Sequence, residues 1–168
     1  MNLTQTLFHD SYAVVNPMLY PWDTIFGIPK SQKRILVIDD DVSMIELVKS
    51  VLSDEKDLKV FGAQDPYEAI EMMSLQVFDF IVLDWNLPNL NGLETLIEVE
   101  RGFKFDPNLP LEWDRKKVRV IVLSGNERDA CKVTNTKHFR YSGYINKGQA
   151  VGTIVNDLKT YLKKGVLL

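Results

Sequence analysis

Acidic side chains stand at Asp39-Asp40-Asp41 and at Asp84, a hydroxyl at Ser124 and an ammonium at Lys147; the first three directly follow apolar runs, and the lysine stands near the end of a brief one. Carboxylates gathered at one place repel one another, so they stay ionised together only around a cation, or one of them takes a proton. Hard oxygen ligands on a partly open site suit Mg²⁺, which keeps several waters and prefers one or two carboxylates plus a phosphate. An ionised carboxylate can attack phosphorus and form an acyl phosphate. A phosphoryl group in flight spreads charge over its equatorial oxygens. A metal and a lysine can hold that charge, and a hydroxyl can hydrogen-bond one oxygen. Taken singly, each part has a plainer use. An acidic run after a strand is a solvated helix entry, Ser124-Gly125-Asn126 is a turn, and Lys147 is a surface lysine. Only their joint placement points to chemistry.

The elements that must position them read as alternating strands and helices from Lys33 onward. Ile35-Leu36-Val37-Ile38, Val60-Phe61-Gly62-Ala63, Phe78 to Leu83, Val118 to Leu123 and the brief Gly143-Tyr144-Ile145 read as five strands, mostly continuous apolar runs of the kind buried on both faces. Met44, Leu47, Val48, Val51 and Leu52 repeat at helical spacing. Asp65-Pro66-Tyr67-Glu68 opens a second helix with a cap, a first-turn proline and a capping-box acid. Leu93, Leu96 and Ile97 mark a short third helix, and Val151, Ile154, Val155, Leu158 and Leu162 a closing one. The segment between Glu127 and His138 is expected to be helical by position, although its pattern is weak. Such alternation calls for a parallel sheet with helices on both faces. The expected fold is α/β, a doubly wound sheet of five parallel strands. In such sheets ligands sit beyond the carboxyl ends of the strands, which is where Asp39, Asp40, Asp84, Ser124 and Lys147 fall.

The chain of 168 residues has 45% hydrophobic and 26% charged residues, a globular composition of about one domain. A net charge of −3 gives no global pull toward nucleic acid or anionic lipid. The single cysteine, Cys131, cannot form an internal disulfide, and it has no zinc spacing with His9 or His138. No apolar run reaches the length of a membrane span. Residues 1–29 hold no Lys or Arg, so they lack the basic start of a secretory or transit segment. The expected location is the cytoplasm. Residues 1–32 stand apart as an irregular arm, with Pro17, Pro21 and Pro29 among Phe8, Tyr12, Tyr20, Trp22 and Phe26. It is expected either to cover a patch of its own domain or to contact a partner.

ILVIDDD (35–41), FIVLDWNLP (80–88), VIVLSGN (120–126) and GYINKG (143–148) together resemble the receiver domain of two-component response regulators, over residues 33–165. The intervals from Asp39 to Asp84 and from Ser124 to Lys147 are usual for that family. The resemblance implies a flavodoxin-like sheet with its five strands in the order 2-1-3-4-5. The resemblance implies that Asp84 is phosphorylated, and that Asp40 ligates Mg²⁺ directly while Asp39 acts mostly through water. The carbonyl of Asn86 would complete the protein's share. Ser124 would bond a phosphoryl oxygen, Lys147 would pair with the phosphoryl group, and Tyr144 would be the aromatic switch. Asn86 and Asn126 stand where side chains face the phosphoryl group. The implied donor is a sensor histidine kinase or histidine phosphotransfer protein, and the implied output is a protein partner, with a homodimer also open. The chain would act on itself rather than as an enzyme on other substrates.

Departures from the family pattern are also legible. Gly148 follows the lysine where the family commonly has proline, often with a cis bond. A non-proline cis bond costs about 2.5–4 kcal/mol, which favours trans here. The stretch from Asp84 to Ser124 is longer than usual, the excess lying in an enlarged loop at 101–117 with Phe103, Phe105, Trp113, Pro107 and Pro110. That loop is expected either to elaborate the surface or to contact the arm or a partner. Little chain follows the closing helix, so neither an effector domain nor direct DNA binding is expected. The alternative reading is a phosphorylation-independent pseudo-receiver that serves as a protein interaction module. An aspartyl phosphatase of the haloacid dehalogenase type ranks lower, since it needs an acid where Asn86 stands. A flavin-binding module ranks lower still, since the first strand is followed by aspartates rather than a Ser/Thr/Gly loop.

Overall fold

The computed structural model describes residues 32–105, 117–126 and 135–166, with the backbone alone at 102–105 and 164–166. The aromatic arm, Trp113, Cys131 and most of the helix expected between Glu127 and His138 lie outside the described residues. The described elements are β1 (Lys33–Ile38), α1 (Val42–Val51), β2 (Leu58–Ala63), α2 (Pro66–Leu75), β3 (Phe80–Asp84), α3 (Gly92–Phe105), β4 (Val118–Ser124), β5 (Phe139–Asn146) and α4 (Val151–Val166). The strands form one parallel sheet in the order β2-β1-β3-β4-β5.

Residues alternate between the two faces of a strand, and here both faces are apolar. Ile35, Val37, Phe80, Val82, Ile121, Leu123 and Ile145 meet the buried stripes of α1 (Ile45, Val48) and α4 (Ile154, Leu158, Leu162). Leu36, Ile38, Ile81, Leu83, Val120 and Val122 meet α2 and α3 through Ala69, Met73, Leu96 and Val99 on the other face. The central strands are therefore sandwiched, which is why they read as continuous apolar runs.

The helix entries follow from local chemistry. The Asp41 side chain caps α1 by accepting from Ser43 N–H, and Asp65 caps α2 by accepting from Tyr67 and Glu68 N–H. A further capping box opens α3: Asn91 accepts from Glu94 N–H at 3.0 Å, and Glu94 accepts from Asn91 N–H at 2.9 Å.

Two elements exceed the sequence reading. The third helix is not short but runs to Phe105, so residues 101–105 of the enlarged loop continue α3 as helix. The fifth strand is not brief but spans eight residues, with a register irregularity opposite Val120/Ile121. Beside that irregularity the Tyr161 ring of α4 lies against Gly143, where a Cβ would fall 2.2 Å from the ring. Only glycine admits the ring there. The start of β5 is fixed from α3: Glu100 accepts from the Thr136 hydroxyl and, at 3.1 Å, from His138 N–H. His138 is buried at this amino end, at the opposite edge from the acids.

Candidate functional site

The pleat explains which side chains converge. Asp39 has the parity of Ile35 and Val37, Asp84 that of Phe80 and Val82, and Lys147 that of Ile145. All three therefore fall on the α1/α4 side of the carboxyl edge. The register pairs Ile38 with Leu83, which brings the next residues, Asp39 and Asp84, alongside each other. Lys147 Nζ then lies 2.7 Å from Asp39 Oδ2 and 2.7 Å from Asp84 Oδ2. Asp39 is 0% exposed and Asp84 4% exposed, whereas Asp40 and Asp41 face solvent. The acidic triplet is thus divided: Asp41 takes the plain role of helix cap, Asp40 stands at the rim and Asp39 is interior.

Backbone amides hold the carboxylates in place. Asp39 Oδ1 accepts from Asp41 N–H at 3.0 Å and Asp84 Oδ1 from Asn86 N–H at 3.0 Å. Ser124 is buried at the end of β4, and its Oγ accepts from Asn126 N–H at 3.1 Å. Its carbonyl accepts both Lys147 N–H and the Tyr144 hydroxyl, each at 3.0 Å, so serine, tyrosine and lysine are tied at one atom. Asn86 and Asn126 are exposed on the two loops that flank the cluster. The Lys147–Gly148 peptide is trans. Behind the site, the backbone N–H of the buried Trp85 donates to the Leu123 carbonyl at 3.0 Å.

Burial sets the electrostatics. Desolvation holds the Asp39 carboxyl above the ordinary carboxylate range, even though the Lys147 ammonium pulls the other way. Burial also works against the Lys147 charge, but Asp39 and Asp84 outweigh it and the ammonium is raised. An acid raised in the folded state binds its proton more tightly there than in the unfolded chain. With no divalent cation added, the stability lost to Asp39 ionisation therefore grows as pH climbs from the unfolded value near 3.8 through the raised folded one. Asp39→Asn removes this, so urea unfolding at pH 7 without divalent cation should show a gain on the order of 1 kcal/mol. The gain should shrink as pH is lowered toward that of the protonated acid, and a variant less stable than wild type at pH 7 would contradict the sign.

The residues present fit a hard cation. Asp39, Asp40 and Asp84 each offer a carboxylate oxygen, all within 4.8 Å of one another. Asp39 Oδ2 is buried, and the group that approaches it is the Lys147 ammonium at 2.7 Å. An oxygen-only set at a half-open edge is the donor chemistry of Mg²⁺.

The sheet order and this edge define a flavodoxin-like, doubly wound α/β protein with an acidic site at its strand ends. Residues 35–159 match the response regulator receiver domain, and the chain belongs to that family. Over 97 residues it is 32% identical to chemotaxis protein CheY-3 of Vibrio cholerae, covering 56% of this chain and 75% of that protein. It is 30% identical over 90 residues to chemotaxis protein CheY of Pseudomonas aeruginosa, covering 52% of this chain and 73% of that protein. A protein-glutamate methylesterase/protein-glutamine glutaminase of Bradyrhizobium diazoefficiens is 29% identical over 73 residues, 43% of this chain but only 20% of that protein. Among solved structures, CheY4 of Vibrio cholerae matches with a TM-score of 0.55 at 22% identity, over 77% of this chain and 98% of that one. A receiver domain protein of Methanospirillum hungatei matches with a TM-score of 0.59 at 21% identity, over 80% and 97%. These structures share the fold. Among the described residues no helix is long and apolar enough to cross a membrane.

Proposed function

We propose that the chain is a phosphoacceptor receiver in which Asp84 takes a phosphoryl group from a phosphohistidine of a sensor kinase or phosphotransfer protein. The observation that carries this reading is the placement of one lysine, 2.7 Å from each of two buried carboxylates on adjacent strands. Asp84 ends β3 with one oxygen held by Asn86 N–H, which orients the carboxylate. On attack, the Asp84 oxygen forms the bond to phosphorus and the phosphorus–nitrogen bond to histidine breaks, its electron pair leaving with the imidazole. Lys147 then pairs with a phosphoryl oxygen instead of the Asp84 oxygen it now neutralises, and the Ser124 hydroxyl hydrogen-bonds another. Mg²⁺, held by Asp39, Asp40, Asp84 and the Asn86 carbonyl, would supply charge stabilisation on the transferring group. Tyr144 is tied through Ser124 to the same edge, so a shift of Ser124 toward the phosphoryl group would release its hydroxyl and reshape the surface near β5. A protein partner reading that surface, from a cytoplasmic location, completes the proposal.

The metal part is open to direct test. In a Trp22→Phe, Trp113→Phe chain, Trp85 is the remaining indole and adjoins Asp84. Millimolar Mg²⁺ should change its fluorescence saturably, and Asp40→Asn should weaken the apparent affinity about tenfold or more. A signal that does not respond to Mg²⁺ would favour the phosphorylation-independent interaction module.

A further inference from the structure

We infer that Asn146 is a positioning residue for Lys147, an inference that rests on the phosphoacceptor reading above. Lys147 lies just beyond the last residue of β5, in a turn whose backbone must be fixed if one flexible stem is to meet two carboxylates. Its own N–H is held by the Ser124 carbonyl at 3.0 Å. The residue after it is held by a side chain: Asn146 Oδ1 accepts from Gly148 N–H at 2.7 Å. The Asn146 carbonyl also accepts from Gln149 N–H at 3.4 Å, and Gln149 donates its side-chain amide to Asp157 of α4 at 2.9 Å. The asparagine therefore spans the lysine with its side-chain and backbone carbonyl oxygens, the former in a turn that Asn side chains form readily.

Residue 148 is built for this contact. A proline there would have no N–H to donate. A Cβ there would stand 3.1 Å from Asn146 Oδ1, so the asparagine side chain would have to give by a few tenths of an ångström. Asn146 itself is exposed, and its link to the chemistry is through the backbone that flanks the lysine.

The test uses the full chain with Mg²⁺ and acetyl phosphate. Asn146→Ala should slow labelling about tenfold at saturating donor, on the scale of a displaced catalytic group. It should leave the Mg²⁺ response of Trp85 unchanged, and speed hydrogen exchange at the Gly148 amide. Asn146→Asp, which keeps the acceptor oxygen, should restore both labelling rate and protection. Labelling of Asn146→Ala at the wild-type rate overturns the inference, and so does an Asn146→Asp variant as slow as the alanine one. A wild type that takes no label overturns the phosphoacceptor reading and this inference together, so the two failures are told apart by the wild-type lane.

Discussion

Asp84→Asn takes no label from acetyl phosphate under conditions that label the wild type, a loss of at least about a thousandfold. The amide is nearly isosteric and keeps an acceptor oxygen for Asn86 N–H, the bond that Asp84 Oδ1 makes at 3.0 Å. The loop after β3 is therefore retained and the loss reports on chemistry. What disappears is the nucleophile, since a neutral amide oxygen does not form a stable bond to phosphorus at neutral pH. Retained labelling of Asp84→Asn at the wild-type stoichiometry would place the acceptor elsewhere.

Lys147→Met should slow labelling by about a hundred- to a thousandfold, the cost of removing one preorganised charge from a transferring phosphoryl group. Methionine keeps most of the apolar stem, so the variant isolates the ammonium. It also leaves two interior carboxylates without their shared counter-charge. Stability without divalent cation should then fall by about 2–4 kcal/mol, the scale of breaking a buried pair. The companion variant Asp39→Asn/Lys147→Met should recover at least half of that loss while labelling stays slow. Equal unfolding midpoints for wild type and Lys147→Met in urea would mean that solvent already screens the cluster. Recovery of labelling in the double variant would mean that the lysine matters for the fold alone.

Much of this site was legible because the central strands are buried on both faces. Runs such as Ile35–Ile38 and Val118–Leu123 have few other uses, and parity then assigns Asp39, Asp84 and Lys147 to one side of the edge. The edge strand was harder to read. Only one side of β5 meets a neighbouring strand, its exposed residues include Arg140, and the irregularity near Ser142 interrupts the alternation. Its apolar signal therefore shrank to Gly143-Tyr144-Ile145. The length of α3 was obscured for a related reason. After Leu96 its buried contact is Val99, and the polar Glu98, Glu100 and Arg101 resemble the start of a loop even though Glu100 turns inward to Thr136 and His138. The division of the acidic triplet is a matter of parity and capping: Asp41 carries a recognisable cap position, while Asp39 and Asp40 differ only in the face they present. Asn146 carried no signal in the sequence, because its role depends on an oxygen that reaches across the lysine to the following amide.

The most direct measurement is the position of the acyl phosphate. The wild-type chain is treated with acetyl phosphate and Mg²⁺, the product is reduced with borohydride, which converts an aspartyl phosphate to homoserine, and the peptides are sequenced by mass spectrometry. The account predicts homoserine at residue 84, formed only when both the donor and Mg²⁺ are supplied. Homoserine at residue 39, 40 or 41, or an unmodified residue 84 in a fully labelled sample, would contradict it.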